Sequence, residues 1–189
     1  MKAWRDFEKL FKLPGGLLGP GVGACQCMHN HRPRPLPESK RLHSKVQRAA
    51  RNRREKRALV KKGCAHGILV YLDGEPIGWC QYGPKDELPR IENRPGYHML
   101  VPGQEGKGLW RIACFVVDKR YRRSGVASTA LKAALDAIRR KGGGLVEAYP
   151  IARWGANNAY FGTVSMFQKV GFETVAPFGK NNLLMRRNI

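Results

Sequence analysis

The sequence predicts an α/β fold built on a mixed sheet, and three observations predict it. From Cys64 onward, strand and helix patterns alternate. The segment Leu109–Val117 is apolar nearly throughout, as in a strand buried on both faces. Two apolar runs flank Asp73-Gly74-Glu75, which reads as an antiparallel hairpin. The 189 residues suffice for one domain with a real core. With 42% apolar and 26% charged residues, the composition is that of a globular chain. Residues 64–189 are expected to form the core. Residues 1–63 read as an N-terminal arm and a basic helix packed on or beside it.

The elements follow in chain order. Trp4, Phe7, Leu10 and Phe11 share a helical face. Pro14-Gly15-Gly16 breaks that helix, and Arg32-Pro33-Arg34-Pro35 excludes another. Ser39 to Lys62 is predicted as a basic helix, capped by Ser39 and ended by Gly63. Its apolar stripe is thin. Gly67–Leu72 and Pro76–Tyr82 form the hairpin strands. A polar connection rich in Pro and Gly runs to about Gly108. After the buried strand, Ser128–Lys141 is a helix with Ala130, Leu131, Ala134, Leu135 and Ile138 on one face. Leu145–Tyr149 is a strand and Tyr160–Val170 a second core helix, stopped by Gly171. Phe172–Ala176 and Leu183–Arg187 complete the sheet as a hairpin.

Charge sets this chain apart. It carries 35 Lys and Arg against 14 Asp and Glu, a formal net charge of +21. Such a field attracts polyanions: nucleotide cofactors, RNA, acidic lipid. About half of the excess lies between Arg32 and Lys62, where thirteen cations face Glu38 and Glu55. No stretch approaches the ~18 unbroken apolar residues of a membrane span, and the start Met1-Lys2-Ala3-Trp4-Arg5-Asp6 is not a secretory signal. The expected setting is cytoplasmic, with no membrane partner, and the five cysteines are expected to be reduced.

The most informative segment is Val116-Val117-Asp118-Lys119-Arg120-Tyr121-Arg122-Arg123-Ser124-Gly125-Val126-Ala127. A buried strand ends, a basic turn follows, and a glycine opens a helix. Free N–H groups and the helix dipole make that start attractive to anions. Gly125 lets a ligand approach the backbone, and Arg120, Arg122 and Arg123 add charge. Together they suit a pyrophosphate.

The order strand, R-x-x-G-x-A turn, helix, strand, helix, Gly-Phe, strand resembles the GCN5-related N-acetyltransferase (GNAT) family. Its acetyl-CoA signature, [Q/R]-x-x-G-x-[G/A], is matched by Arg122, Gly125 and Ala127. The closing helix Ser165–Val170 with Gly171-Phe172 is also similar to the family's. The likeness covers roughly Gly67 to Arg187. A narrower one is to a bacterial group carrying Cys-x-Cys-Met, D-G-E-P-x-G-W-C, V-E-A-Y-P and G-T-V-S-M-F. These stand here at Cys25–Met28, Asp73–Cys80, Val146–Pro150 and Gly162–Phe167. The resemblance implies two central strands that splay apart with acetyl-CoA in the gap. Pantetheine would pair with the backbone near Phe115, Val116 and Val117. The pyrophosphate would lie on the amides of Arg123, Ser124, Gly125, Val126, Ala127 and Ser128, beside Arg122. Two departures stand out: Lys119 replaces a common proline, and Arg123 replaces a common glycine. Neither removes the amide cradle.

Acetyl transfer to an amine needs a proton acceptor, an oxyanion donor and help for the leaving thiolate. Glu147, in an otherwise apolar strand, is the first candidate base, with an Arg-paired strand carboxylate, or one that only binds the amine, as the alternatives. Asp118 is a weaker candidate. The family's frequent acid is a Tyr in the last helix, and the matching position here is Phe167, which cannot donate. Tyr160 and Ser165 on the same predicted helix, or Tyr149, are the substitutes, and a mechanism with no dedicated acid stays open.

The expected activity is acetyl-CoA-dependent N-acetylation of an acceptor that the sequence does not reveal. A small-molecule primary amine is placed first, and an RNA- or protein-borne amine second. The competing reading is a non-catalytic RNA- or ribosome-associated basic module. Non-specific RNA association is expected electrostatically. A dedicated RNA site lacks support, because no aromatic residue occurs between Arg32 and Lys62 to stack bases. Cys25, Cys27, His29 and His31 alternate, but not with the C-x(2–4)-C spacing of zinc knuckles, so no metal is assigned. Cys80 and Cys114 are expected to be buried and inert. Whether the chain forms a homodimer is open.

Overall fold

The turn at Asp73-Gly74 organises one edge of the sheet. In the computed structural model, which describes residues 2–12, 28–33, 44–94, 96–100, 108–152 and 159–189, β1 (Gly67–Leu72) pairs antiparallel with β2 (Glu75–Pro84). Asp73 and Gly74 take φ of 49° and 79°, as a two-residue hairpin turn requires. β2 pairs antiparallel with β3 (Leu109–Val117), and β3 lies parallel to β4 (Leu145–Ala148). β5 (Glu173–Phe178) and β6 (Asn182–Asn188) complete the order β1-β2-β3-β4-β6-β5. The sheet is mixed, as the sequence predicts, with its parallel pair at the centre.

Among the described residues the helices are α1 (Lys2–Lys12), α2 (Lys45–Lys61), α3 (Tyr97–Leu100), α4 (Val126–Arg139) and α5 (Val164–Gln168). The parallel pair β3–β4 needs a crossover, and α4 supplies it. Ala130, Leu131, Ala134, Leu135 and Ile138 bury its apolar face against Tyr82, Ile112, Phe115 and Val146. Gly78 permits the close approach: a Cβ there would lie 2.4 Å from Val126 Cγ1.

The opposite face of β2 and β3 is covered by α1. Trp4, Phe7 and Leu10 pack with Trp79 and Val116, and Phe7 meets Trp79 edge-on at 4.8 Å. Polar straps fix the helix. Asp6 accepts a hydrogen bond from the Tyr71 hydroxyl (2.9 Å). Lys9 pairs with Glu75, and Glu8 with Arg53 of α2.

The basic helix begins at Lys45 rather than Ser39; Ser39 lies outside the described residues. Ser44 precedes it and makes no side-chain cap bond. Its apolar positions hold it little: Val46 is 77% exposed. Polar groups hold it instead. Asn52 and Lys56 are buried, and Arg32 donates to Asn52 Oδ1 (2.6 Å) and Glu55.

The predicted continuous helix Tyr160–Val170 is two pieces. A 3₁₀ turn, Ala159–Phe161, is followed by α5. Gly162 has φ of 73°, which no right-handed helix can pass through. Thr163 then starts α5 afresh, its Oγ1 accepting from the Met166 N–H (3.2 Å). α4 starts at Val126, ahead of the predicted Ser128.

Candidate active site

The central strands separate at a definite point. β3 pairs with β4 only through Leu109–Ile112, opposite Leu145–Ala148. Ala113–Val117 continue along β2 without a β4 partner. The register against β2 also slips there. Gln81 faces Cys114 and Tyr82 faces Ile112, which leaves Ala113 as the extra residue of a bulge. Beyond β4 the chain turns off to bridge elsewhere: Ile151 pairs with Thr163 and with Asn182. The turn Ala159–Phe161 packs against β3. The gap therefore opens where Phe115, Val116 and Val117 lie. Phe115 and Val116 are buried and Val117 is half-buried.

The mouth of α4 lies directly after this strand. Asp118 closes β3, donating its N–H to Ile77 C=O (2.9 Å) and accepting from the Arg120 N–H (3.0 Å) and guanidinium (2.7 Å). Those bonds to Arg120 hold the Asp118 carboxyl below the usual carboxylate range, and tie it to the turn rather than to a reacting group. Arg123 (φ 66°) and Gly125 (φ 85°) are left-handed. The first helical bond runs from the Thr129 N–H to Gly125 C=O (2.9 Å). The amides of Val126, Ala127 and Ser128 precede it and have no helical acceptor. Arg122, Arg123, Ser124 and Gly125 are exposed, and a Cβ on Gly125 would meet nothing within 4 Å. The Ser124 hydroxyl donates back to Tyr121 C=O (2.6 Å). Phe115–Val117 thus lie on the part of β3 beyond its pairing with β4, and Arg122–Ser128 lead into the start of α4.

Glu147 is fully buried, and both oxygens are taken. Oε2 accepts from the Tyr97 hydroxyl (2.7 Å) and the Tyr149 hydroxyl (2.6 Å). Oε1 accepts from Arg186 Nε (3.0 Å) and its terminal nitrogen (2.6 Å). Arg111 Nε lies 3.8 Å from Oε2, and Arg111 donates to the Tyr97 hydroxyl (3.0 Å). The geometry is that of the Arg-paired alternative. Burial first, then the neighbouring carboxylate, pushes Tyr97 up to about 12, and Tyr149 also rises well above its ordinary value. Both phenols are donors at neutral pH.

The two other catalytic candidates part company. Tyr160 is half-buried on the turn packed against β3. Ser165 is exposed, 3.2 Å from Thr163 Oγ1 at the start of α5. Phe167 is buried between Phe115 and Phe172, with ring centres 6.1 and 5.1 Å away.

Sequence reasoning missed Arg111, Tyr97 and Arg186. The signal for Arg111 was present: it is the only charge in an apolar strand, and in register it faces Glu147, which faces Arg186. His31, one of the four alternating Cys and His residues, and His66 both have partners within the protein. His31 Nδ1 donates to Glu87 C=O (2.7 Å), and Nε2 faces Lys56 Nζ (2.8 Å) and Gln81 Nε2 (3.0 Å). His66 pairs with Glu87 (2.9 Å). Cys80 is buried as expected, but Cys114 is only half-buried, since it lies in the splayed part of β3. Cys25 and Cys27 lie outside the described residues. Among those described, no three His, Cys, Asp or Glu side chains converge as a metal site, and no helix is long and apolar enough to cross a membrane.

Known structures share this fold. Ard1 from Thermoplasma volcanium superposes with a TM-score of 0.51 at 14% identity, covering 98% of this chain and 93% of its own. The ribosomal-protein-alanine N-acetyltransferase from Brucella melitensis gives 0.50 at 16% identity, covering 74% and 78%. At such identities the likeness speaks to the fold. No curated protein matches the sequence. The model of the acetyltransferase (GNAT) family matches residues 28–172, from Met28 through the splayed strands and the helix mouth to Phe172. On that match the chain belongs to the GNAT family of acetyltransferases.

Proposed function

We propose that this chain moves an acetyl group from acetyl-CoA to a primary amine, with a small-molecule amine as the first acceptor class and a protein- or RNA-borne amine as the second. One observation carries the reading: the helix start, Gly125–Ser128, follows the length of β3 that pairs with β2 but, among the described residues, has no β4 partner. The amides from Arg123 to Ser128 suit a pyrophosphate, with Arg122 and Arg123 adding charge. The free edge of Phe115–Val117 suits the amides of a pantetheine arm. The amine nitrogen would attack the thioester carbonyl. The C–S bond breaks, the amine gives up a proton, and the thiolate gains one. Holding the reactants in line supplies much of the rate.

Within this reading Tyr160 is the proton donor to test first, because its turn lies against the open strand. Ser165 serves the start of α5. Glu147 orders the wall through Arg186, Tyr97 and Tyr149, and the amine proton leaves by water. The bacterial grouping suggested by the four short motifs, and a reduced cytoplasmic setting, are part of the same proposal.

The test is thermal shift with acetyl-CoA, then an amine panel read by thiol release. Wild type should gain stability with the cofactor. Gly125→Trp has open space for its side chain and a left-handed backbone whose strain costs about 1–2 kcal/mol. It should stay folded and lose the cofactor shift. A variant that kept the full shift would remove the pyrophosphate from this helix.

A further inference from the structure

The outward side of α2 joins the end of α1 in one basic surface, on the face of the sheet away from α4. Arg54, Arg57 and Lys61 are exposed. Each lies three or four residues from the next, so they share one side of the helix over about 10 Å. Lys12, in the last turn of α1, is exposed as well. Lys12 and Arg57 both stand near enough to Glu8 to act on its charge, which brings the cations of the two helices together.

The acids that could neutralise this surface are engaged elsewhere. Glu55, the one acidic residue of α2, faces Arg32 and Arg51. Glu8 is taken by Arg53, whose hydrogen bond is the first cause holding that carboxyl below its ordinary range. Among the described residues, Arg54, Arg57 and Lys61 have no acidic partner. Like charges one turn apart destabilise a helix, and Arg53, Arg57 and Lys61 follow one another at four-residue steps. The inner side of α2 is fixed by the buried Asn52 and Lys56, so the row cannot turn away. Its repulsion is left to anions from outside the chain.

We propose that this surface binds the sugar–phosphate backbone of a double-stranded nucleic acid. Guanidinium forks match phosphate oxygens in pairs. Duplex DNA carries one charge per ~1.7 Å of axis, so such a row meets several phosphates at once. Unpaired bases find nothing to stack on, because α2 contains no aromatic residue. A lipid surface finds little to insert: Trp4, Phe7 and Leu10 of α1 are buried against the sheet, and Val46 and Val60 are the large apolar side chains that α2 exposes. The surface needs no acetyl-CoA, so it is independent of the transfer reaction.

The test is fluorescence anisotropy of the full chain with short labelled duplexes of DNA and of RNA, over a range of salt. A single strand of the same length, and vesicles of phosphatidylcholine and phosphatidylserine in equal parts, are the comparisons. The expected result is duplex binding severalfold tighter than either comparison at about 0.1 M salt, and a preference between the two duplexes names the source. Replacing Arg54, Arg57 and Lys61 together by Gln should weaken duplex binding by about tenfold or more, and flatten the slope of log affinity against log salt by about 2.7, at ~0.9 per phosphate contact. Net charge alone acts from every side of the molecule. Lys132, Arg140 and Lys141, exposed in and just after α4, are therefore replaced by Gln in a second variant of equal charge, which should change the slope by less than about 1. All six positions are exposed, so both variants should fold. Absence of duplex binding, equal effects of the two variants, or a single strand or vesicle bound as tightly as the duplex would overturn the proposal.

Discussion

Both oxygens of Glu147 are engaged, and its partners decide what the residue is for. Arg186 keeps 12% of its side chain exposed and Arg111 none. Removing the charge between them leaves two buried guanidiniums poorly compensated. Glu147→Gln keeps the shape, and should still lose about 3–5 kcal/mol of stability, read by urea unfolding. A catalytic base would behave differently, losing turnover while unfolding at the wild-type urea concentration; that outcome would restore Glu147 to the chemistry. Tyr97→Phe is milder. It removes the hydroxyl that donates to Glu147 and accepts from Arg111, two hydrogen bonds to charged groups, and should lose about 3 kcal/mol. At this scale the sequence exposed the residue type and hid its company. Glu147 was visible as a lone carboxylate in an apolar strand. Tyr97 comes from a connection with no readable periodicity, and Arg186 reaches Glu147 only through a register that no local pattern specifies.

Elements were legible wherever periodicity and burial agree. β1, β3 and the β5–β6 hairpin lie where alternation and apolar runs put them. The misses have physical causes. Gly162 splits a segment whose apolar spacing alone reads as one helix. α2 could not be bounded from its stripe, because tertiary polar contacts rather than apolar packing hold it. The segment Met28–Pro33 is the connector: His31 joins Lys56 of α2 to Gln81 of β2 and to Glu87, with Arg32 and His66 nearby. Burial first, then the charge of Lys56, lowers His31 to about 3 from an ordinary 6.5. Between those values the unfolded chain takes up the proton and the folded one does not. The contribution of His31 is therefore whole above pH 6.5, and declines as the pH falls toward 3. Its limiting slope is about 1.4 kcal/mol per pH unit. Urea unfolding at a series of pH values between neutral and mildly acidic should show that slope in wild type and a shallower one in His31→Gln. Equal slopes would mean that His31 titrates freely in the fold.

At the scale of the whole molecule, the net charge of +21 sets two kinds of anion binding against each other. A nucleotide cofactor held by backbone amides and an apolar arm keeps much of its affinity in salt. A polynucleotide held by surface cations does not, because its binding is driven by counterion release. On α2, Arg54, Arg57 and Lys61 are exposed, and the helix lies on the far side of the sheet from α4. The charge excess was plain in the sequence. Which cations are spent internally was not: Arg53 pairs with Glu8, Arg32 with Glu55, and Arg111 is buried. The two modes separate in one titration. Binding of poly(U) should fall steeply between low and moderate salt, by about a hundredfold or more for a handful of phosphate contacts. The thermal shift given by acetyl-CoA should change little over the same range. Replacing Arg54, Arg57 and Lys61 together by Gln should flatten the slope of log affinity for poly(U) against log salt by about 2, at ~0.7 per single-strand phosphate contact. It should leave the acetyl-CoA shift intact. If the triple variant lost the acetyl-CoA shift as well, the basic helix would belong to the cofactor site, and the pyrophosphate would not rest on the mouth of α4 alone.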